Sequence, residues 1–148
     1  MEKTETLVAA HYTTEDLLGR IARALTEVGA DPANLRPDDL KPVDEFHTGG
    51  LEATKALLDQ LQIDAETRVL DIGSGLGGTA RFVTETYGAG VVGVDLTPVF
   101  VETALELSRM VGLEDQVTYL TGSATALPLE PDSVDLALMF HVGMNIAD

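Results

Sequence analysis

Apolar residues recur along this chain with two different periods, and the change of period divides it. Between Thr13 and Gly29, Leu17, Leu18, Ile21, Ala22, Leu25 and Val28 fall at helical spacing. Thr13 or Thr14 can cap that helix, Glu15 and Asp16 sit in its first turn where negative charge is favoured, and Gly29 suits its end. From Asp31 to Pro42 three prolines and four Asp or Asn residues predict turns and short helical pieces. A second helix is expected after Gly50, with Leu51, Leu57, Leu58 and Leu61 marking its buried side. From Thr67 onward short apolar runs alternate with amphipathic stretches. Val69–Ile72, Val91–Val94, Val117–Leu120 and Val134–Phe140 predict buried strands. Between them Ala80, Phe82, Val83 and Tyr87 mark one helix, closed by Gly88. Another runs from the Thr97-Pro98 pair to about Val111, closed by Gly112. Strands joined through helices imply right-handed crossovers and a parallel sheet. The expectation is an α/β fold with an N-terminal helical cap over 1–50 and the sheet over 51–148.

Composition changes this picture little and bounds the function more. The 148 residues are 45% apolar and 23% charged, an ordinary globular balance for one domain. The 25 acidic residues outnumber nine Lys and Arg, for a net charge of −16. Such a surface repels a phosphate backbone, so no nucleic-acid partner is expected. There are no cysteines, which excludes disulfides and thiolate metal sites and is compatible with a cytoplasmic setting. The three histidines show no metal-ligand spacing, and no metal is expected. The opening Met-Glu-Lys-Thr-Glu-Thr has no apolar core of a signal, and no apolar run approaches the roughly 18 residues of a membrane span.

The chemistry centres on Arg68–Gly78, R-V-L-D-I-G-S-G-L-G-G. A strand passing through a glycine turn into a helix N-terminus presents backbone N–H groups and the positive end of the helix dipole to a ligand. Gly73, Gly75 and Gly78 satisfy G-x-G-x-x-G, a dinucleotide pattern. Asp71, Gly73, Gly75 and Gly77 satisfy D-x-G-x-G-x-G. Asp71 favours the second pattern, because a carboxylate there has a use if the ligand carries an ammonium. Ser74 lies within the same turn. Asp95 ends the second strand, where a carboxylate can accept from both ribose hydroxyls, and Leu96 beside it could pack on an adenine face. Capping of the next helix is the alternative for Asp95, although Thr97 stands in that position. Ser123 and Ala124 follow the third strand and could read an adenine edge or form an ordinary turn. His141 follows the fourth strand and could serve as a general base at the cleft mouth. Phe46, His47 and Thr48 precede paired glycines at a helix start, another place for close approach of a ligand, or a plain connector.

Taken together, F-H-T-G-G at 46–50, V-L-D-I-G-S-G-L-G-G at 69–78, G-V-D-L-T-P at 93–98 and H-V-G-M-N-I at 141–146 resemble a class I methyltransferase dependent on S-adenosyl-L-methionine. The resemblance is to the small-molecule type, the ubiquinone/menaquinone and sarcosine/dimethylglycine methyltransferases. It implies a Rossmann-like parallel sheet, the N-terminal part of a seven-strand fold. Gly73, Ser74 and Gly75 would line the amino-acid and sulfonium end of the cofactor, with Asp71 supporting that end. Asp95 would hold the ribose, Leu96 the adenine face, and Ser123 and Ala124 the adenine edge. Phe46, His47 and Thr48 would close over the methionine end. His141 would lie near the transferred methyl, as catalytic residue and cofactor contact. The acceptor would be a small molecule.

Two departures accompany the resemblance. Many relatives carry Asp where this chain has Ser123. The chain also stops just after the fourth strand, leaving strands five to seven missing. The fourth strand is then expected to be an open edge with the apolar face Val134, Leu136, Leu138 and Phe140, inviting self-association or a completing chain. Two rivals stay open: a non-catalytic binding module or half of a split enzyme, and an NAD(P)-binding oxidoreductase domain.

Overall fold

The computed structural model describes residues 13–44 and 50–140. Helix α1 (Thr14–Glu27) begins at a capping box. Thr13 Oγ1 accepts from Asp16 N at 3.1 Å, and Asp16 Oδ2 accepts from Thr13 N at 3.2 Å. Ile21 and Leu25 form its buried stripe, whereas Val28, expected on that stripe, is exposed because it is already the C-cap residue. A 3-10 turn (Pro37–Leu40) and a single-turn helix α2 (Lys41–Asp44) follow, then α3 (Gly50–Leu58).

Four parallel strands, β1 (Arg68–Ile72), β2 (Gly90–Asp95), β3 (Val117–Thr121) and β4 (Leu136–Met139), form one sheet in the order β3-β2-β1-β4. Helix α4 (Gly78–Tyr87) joins β1 to β2, and α5 (Pro98–Met110) joins β2 to β3. The expected parallel α/β architecture is therefore present.

The two faces of the sheet differ. Register puts Val69, Val91, Val117 and Leu136 on one face, followed by Asp71, Gly93, Tyr119 and Leu138. Val69, Val91, Val117, Tyr119 and Leu138 pack there with Leu58 of α3, Ala80 and Val83 of α4, and Val101 and Ala104 of α5. A second cluster joins the N-terminal segment to α5 and the glycine turn: Ile21, Leu25, Leu35, Leu40 and Val43 bury Leu107, with Leu76 against them. On the opposite face Leu70 and Val94 stay buried, but Ile72, Val92 and Leu120 are half-buried and Ala137 and Met139 are exposed. No described helix contributes to a core cluster there.

One expectation is sharpened and another needs correcting. On β4, Leu138 is buried, and Leu136 and Phe140 pack against the core; the outward side chains are Ala137 and Met139. Among the described residues the outer edge of β4 is unpaired, and the face of Leu136 and Leu138 is the helix-covered one, since it shares register with Val69 and Asp71. On α3 the buried stripe is Thr54 and Leu58, while Leu57 and Leu61 are exposed. Leu57 and Leu58 are neighbours about 100° apart around a helix, so both cannot face the sheet.

Candidate functional site

β1 delivers the chain into a turn that only glycine makes comfortably. Gly73, Gly75 and Gly77 have φ of 73°, 54° and 87°. At Gly77 an added Cβ would stand 2.7 Å from Tyr119 Cζ, whereas at Gly75 it would meet nothing within 4 Å. The turn is thus packed tightly at its far end and open at its centre. Gly73 N and Ser74 N both donate to Val94 O, at 2.8 and 3.2 Å, which fastens the turn to the end of β2. The N–H groups of Leu76, Gly78 and Thr79 find no acceptor among the described residues, as expected at the start of α4.

Asp95 sits where β2 ends and is half-buried. Its Oδ2 accepts from Gly75 N at 2.8 Å and its Oδ1 from Thr97 N at 2.9 Å. Thr97 is the N-cap residue of α5 but its side chain makes no capping bond. Asp95 bonds the N–H of Thr97 itself, an Asx-type bond to the backbone two residues on, and caps none of the first-turn donors of α5. Each Asp95 oxygen keeps a further lone pair for an incoming hydroxyl. Beside it Leu96 is 69% exposed, an uncovered apolar side chain at the mouth of the strand ends.

Asp71 is only 3% exposed and lies on the helix-covered face, with Gly93 as its partner in register. Among the described residues its Oδ2 has no hydrogen-bond partner, nor has the buried Ser74 Oγ. Burial, reinforced by the Asp95 charge, pushes the Asp71 carboxyl up to about 7. Two carboxylates therefore flank the glycine turn, one of them buried with an oxygen that no described residue partners.

Ser123 and Ala124 are half-buried after β3. Ser123 Oγ lies 2.8 Å from Thr125 Oγ1 and accepts from Thr125 N at 3.2 Å, the turn alternative for this residue. Gly122 N donates to Asp95 O at 2.9 Å, which brings this loop to the end of β2. Phe46, His47, Thr48 and His141 lie outside the described residues.

The residues that the sequence reading missed stand behind the turn. Arg81 of α4 is 2% exposed; its Nη1 donates to Leu76 O at 2.7 Å and its Nη2 to Asp44 Oδ1 at 2.6 Å. Tyr119 Oη, 3.0 Å from Ser108 Oγ, reaches Gly77 O at 3.4 Å. The available signal was a charged residue set between Ala80 and Val83 on an otherwise apolar helix face. A cavity of about 240 Å³ borders this region, lined by Lys41, Asp44, Thr54, Thr79, Arg81 and Phe82 among others. It shares the first turn of α4 with the glycine site, but Asp71, Asp95 and Leu96 do not line it. Among the described residues no group of three or more His, Cys, Asp or Glu is placed to hold a metal, and no helix is long and apolar enough to cross a membrane.

Comparison with known proteins fits this geometry. A family model described as a methyltransferase domain matches residues 69–148. The chain is 32% identical over 95 residues to the glycine/sarcosine/dimethylglycine N-methyltransferase of Actinopolyspora halophila, covering 64% of this chain and 17% of that protein. A candidate sarcosine dimethylglycine methyltransferase from Galdieria sulphuraria superposes with a TM-score of 0.60 at 25% identity, covering 86% of this chain and 48% of that one. A methyltransferase dependent on S-adenosylmethionine from Thiobacillus denitrificans, solved with S-adenosyl-L-homocysteine, superposes with a TM-score of 0.58 at 27% identity, covering 68% and 41%. The chain thus spans less than half the length of each of these proteins.

Proposed function

The chain belongs to the methyltransferase-domain family, and we propose that it forms the cofactor-binding part of a methyltransferase that uses S-adenosyl-L-methionine and acts on a small molecule. The observation that carries this reading is the open centre of the glycine turn set between two carboxylates, Asp71 and Asp95. The residues fit a cationic adenosyl ligand. Buried Asp71 has an unpartnered oxygen, Gly75 leaves room for close approach, and Leu96 is an uncovered apolar surface beside Asp95. The cofactor supplies a methyl group already activated on a sulfonium, so the protein's part is positioning and exclusion of water.

In this reading Asp95 keeps its two backbone bonds and accepts the ribose hydroxyls on its remaining lone pairs. Gly73, Ser74 and Gly75 line the amino-acid end, and Asp71 supplies negative charge beneath it. Ser123 and Ala124 stand at the adenine edge, and Phe46, His47 and Thr48 close over the methionine end. His141 accepts the proton of the acceptor's nucleophile. Residues 1–50 act as a cap over the unit formed by 51–148, in the cytoplasm. The β4 edge, unpaired among the described residues, and the outward Ala137 and Met139 support self-association with a second copy. The sheet face that no described helix covers also supports a second reading, in which the chain is a non-catalytic module or half of a split enzyme.

Calorimetric titration of the full chain with S-adenosyl-L-methionine, with NAD as control, tests the proposal. Binding of the former that is lost in a folded Asp95→Ala variant supports it. Preference for NAD would replace it with a dinucleotide site, and binding of neither would favour the half-enzyme reading. For His141, His141→Ala is expected to lower turnover far more than cofactor affinity; unchanged turnover removes it from the mechanism.

A further inference from the structure

The glycine turn has a back as well as a ligand-facing side, and the back is held by buried polar groups. Arg81 reaches Asp44, the last residue of α2, with Nη2 and Leu76 O in the turn with Nη1, while Nη1 also lies 3.5 Å from Ser108 Oγ of α5. Tyr119 Oη, joined to the same Ser108, lies 3.4 Å from Gly77 O. Gly77 O also accepts from Arg81 N at 2.9 Å. The carbonyls of residues 76 and 77 are therefore both directed into this network. A peptide unit is planar, with its N–H opposed to its C=O, so fixing the Gly77 carbonyl aims the Gly78 N–H away from Tyr119. The cap is held equally closely: an added Cβ on Gly78 would lie 2.8 Å from Asp44 Cβ.

Stability alone does not account for the guanidinium. A buried ion pair is weak evidence of stabilisation, since replacing both partners by well-packed apolar side chains is often neutral. Among the described residues Arg81 Nε is buried with no partner, an added cost that a methionine would avoid. What a guanidinium offers and a methionine or lysine does not is a planar fork that meets two acceptors at fixed angles.

We infer that Arg81 is a positioning residue: its fork sets the peptide planes of residues 76–78 and ties them to Asp44, so that α2 and the glycine turn hold one geometry. The inference rests on the cofactor reading for its consequence in binding, but not for the coupling itself.

Amide hydrogen exchange on the ligand-free full chain tests the coupling. The Gly75 and Gly77 amides, bonded to Asp95 Oδ2 and Ser74 O, report the turn, and the Val91 amide, bonded to Gln116 O, reports the sheet. In Arg81→Met the turn amides are expected to exchange about tenfold faster while Val91 is unchanged, the scale of one lost charge-assisted hydrogen bond. Arg81→Lys, which keeps the charge, is expected to show the same acceleration, and it carries the test if the methionine variant does not fold. Turn amides that keep their wild-type rates, or that accelerate only in step with Val91, overturn the inference. The second readout is the dissociation constant for S-adenosyl-L-homocysteine, expected to rise about tenfold in both variants. Wild-type affinity in both would overturn the link to binding. A wild-type chain that does not bind the compound would defeat the cofactor reading, and the exchange measurement would still decide the coupling.

Discussion

The two faces of the β-sheet are made from similar side chains and are held very differently. One carries Val69, Val91, Val117 and Leu138 under α3, α4 and α5, and it also holds the polar group Asp71, Tyr119, Ser108 and Arg81. The other carries Leu70, Ile72, Val92, Val94, Ala137 and Met139, and among the described residues no helix lies over it. Strand composition does not distinguish the two; connection does. β1, β2 and β3 are joined through α4 and α5, and the order β3-β2-β1 steps one way across the sheet, so both helices fall on one side. The glycine turn is built from that side too: its carbonyls point into the covered core, and its open centre is left to a ligand. Rigidity behind the turn and openness in front of it come from the same asymmetry.

The largest effects should come from breaking the covered face. Leu58 is fully buried there and bridges α3 to the sheet core. Leu58→Ala is expected to cost about 2–5 kcal/mol, through lost transfer energy and the cavity left behind. Urea unfolding of the two proteins side by side measures this. A cost under about 1 kcal/mol would mean that α3 can collapse onto the sheet, and that the contrast between faces is shallower than it looks.

Asp71 sharpens the comparison, because it is a destabilising group on the well-packed side. Burial and the Asp95 charge lift its carboxyl from the ordinary 3.8 to about 7. In the window between those values the folded chain keeps a proton that the unfolded chain has lost, so stability falls as pH rises from about 4 to about 7 and then levels. The full rise corresponds to ~4 kcal/mol, an upper bound. Asp71→Asn does not ionise, and its amide still lacks a partner, so a gain of about 1–2 kcal/mol above pH 7 is expected, shrinking towards pH 4. Thermal melts across that range check it; a gain that does not change with pH would show that Asp71 does not titrate there. The same proton is a reporter of binding. If a cationic ligand at the turn ionises Asp71, calorimetry in buffers of different ionisation enthalpy near pH 6 should detect proton release.

How much of this could be read from the residues follows from the range of the interactions. The strands, the positive-φ glycines and the place of Asp95 depend on neighbours close in sequence, and periodicity with turn chemistry reveals them. The family followed from four such segments read together. Arg81 could not be found this way, because its meaning depends on Asp44, 37 residues away, and on a carbonyl. A charge on an amphipathic helix ordinarily belongs to the solvated side. Leu57 and Leu58 group together in sequence for a similar reason: both are apolar neighbours on α3, and their pattern does not say which one the sheet covers. For β4 the alternation and its apolar face were legible, but not which side of the sheet that face joins. The crossover geometry that decides the face is set by α4 and α5, outside the strand itself.

The smallest effect belongs to the bare face, and its smallness is the point. Ala137 is exposed on the edge strand, so Ala137→Glu should change the stability of the isolated chain by no more than about 0.5 kcal/mol. If a second copy covers this face, the same substitution should abolish any concentration-dependent assembly, because it adds a charge that would be buried and unpaired. The net charge of −16 opposes bringing two copies together, so added salt should strengthen wild-type assembly rather than weaken it. Sedimentation at low and high salt, with and without Ala137→Glu, separates these effects. A wild-type chain that stays monomeric at every salt and concentration would mean that two copies do not satisfy this face. Assembly that survives the substitution would move the contact elsewhere, and the exposed Leu57 of α3, with Leu61 just beyond the helix, would be the next surface to test.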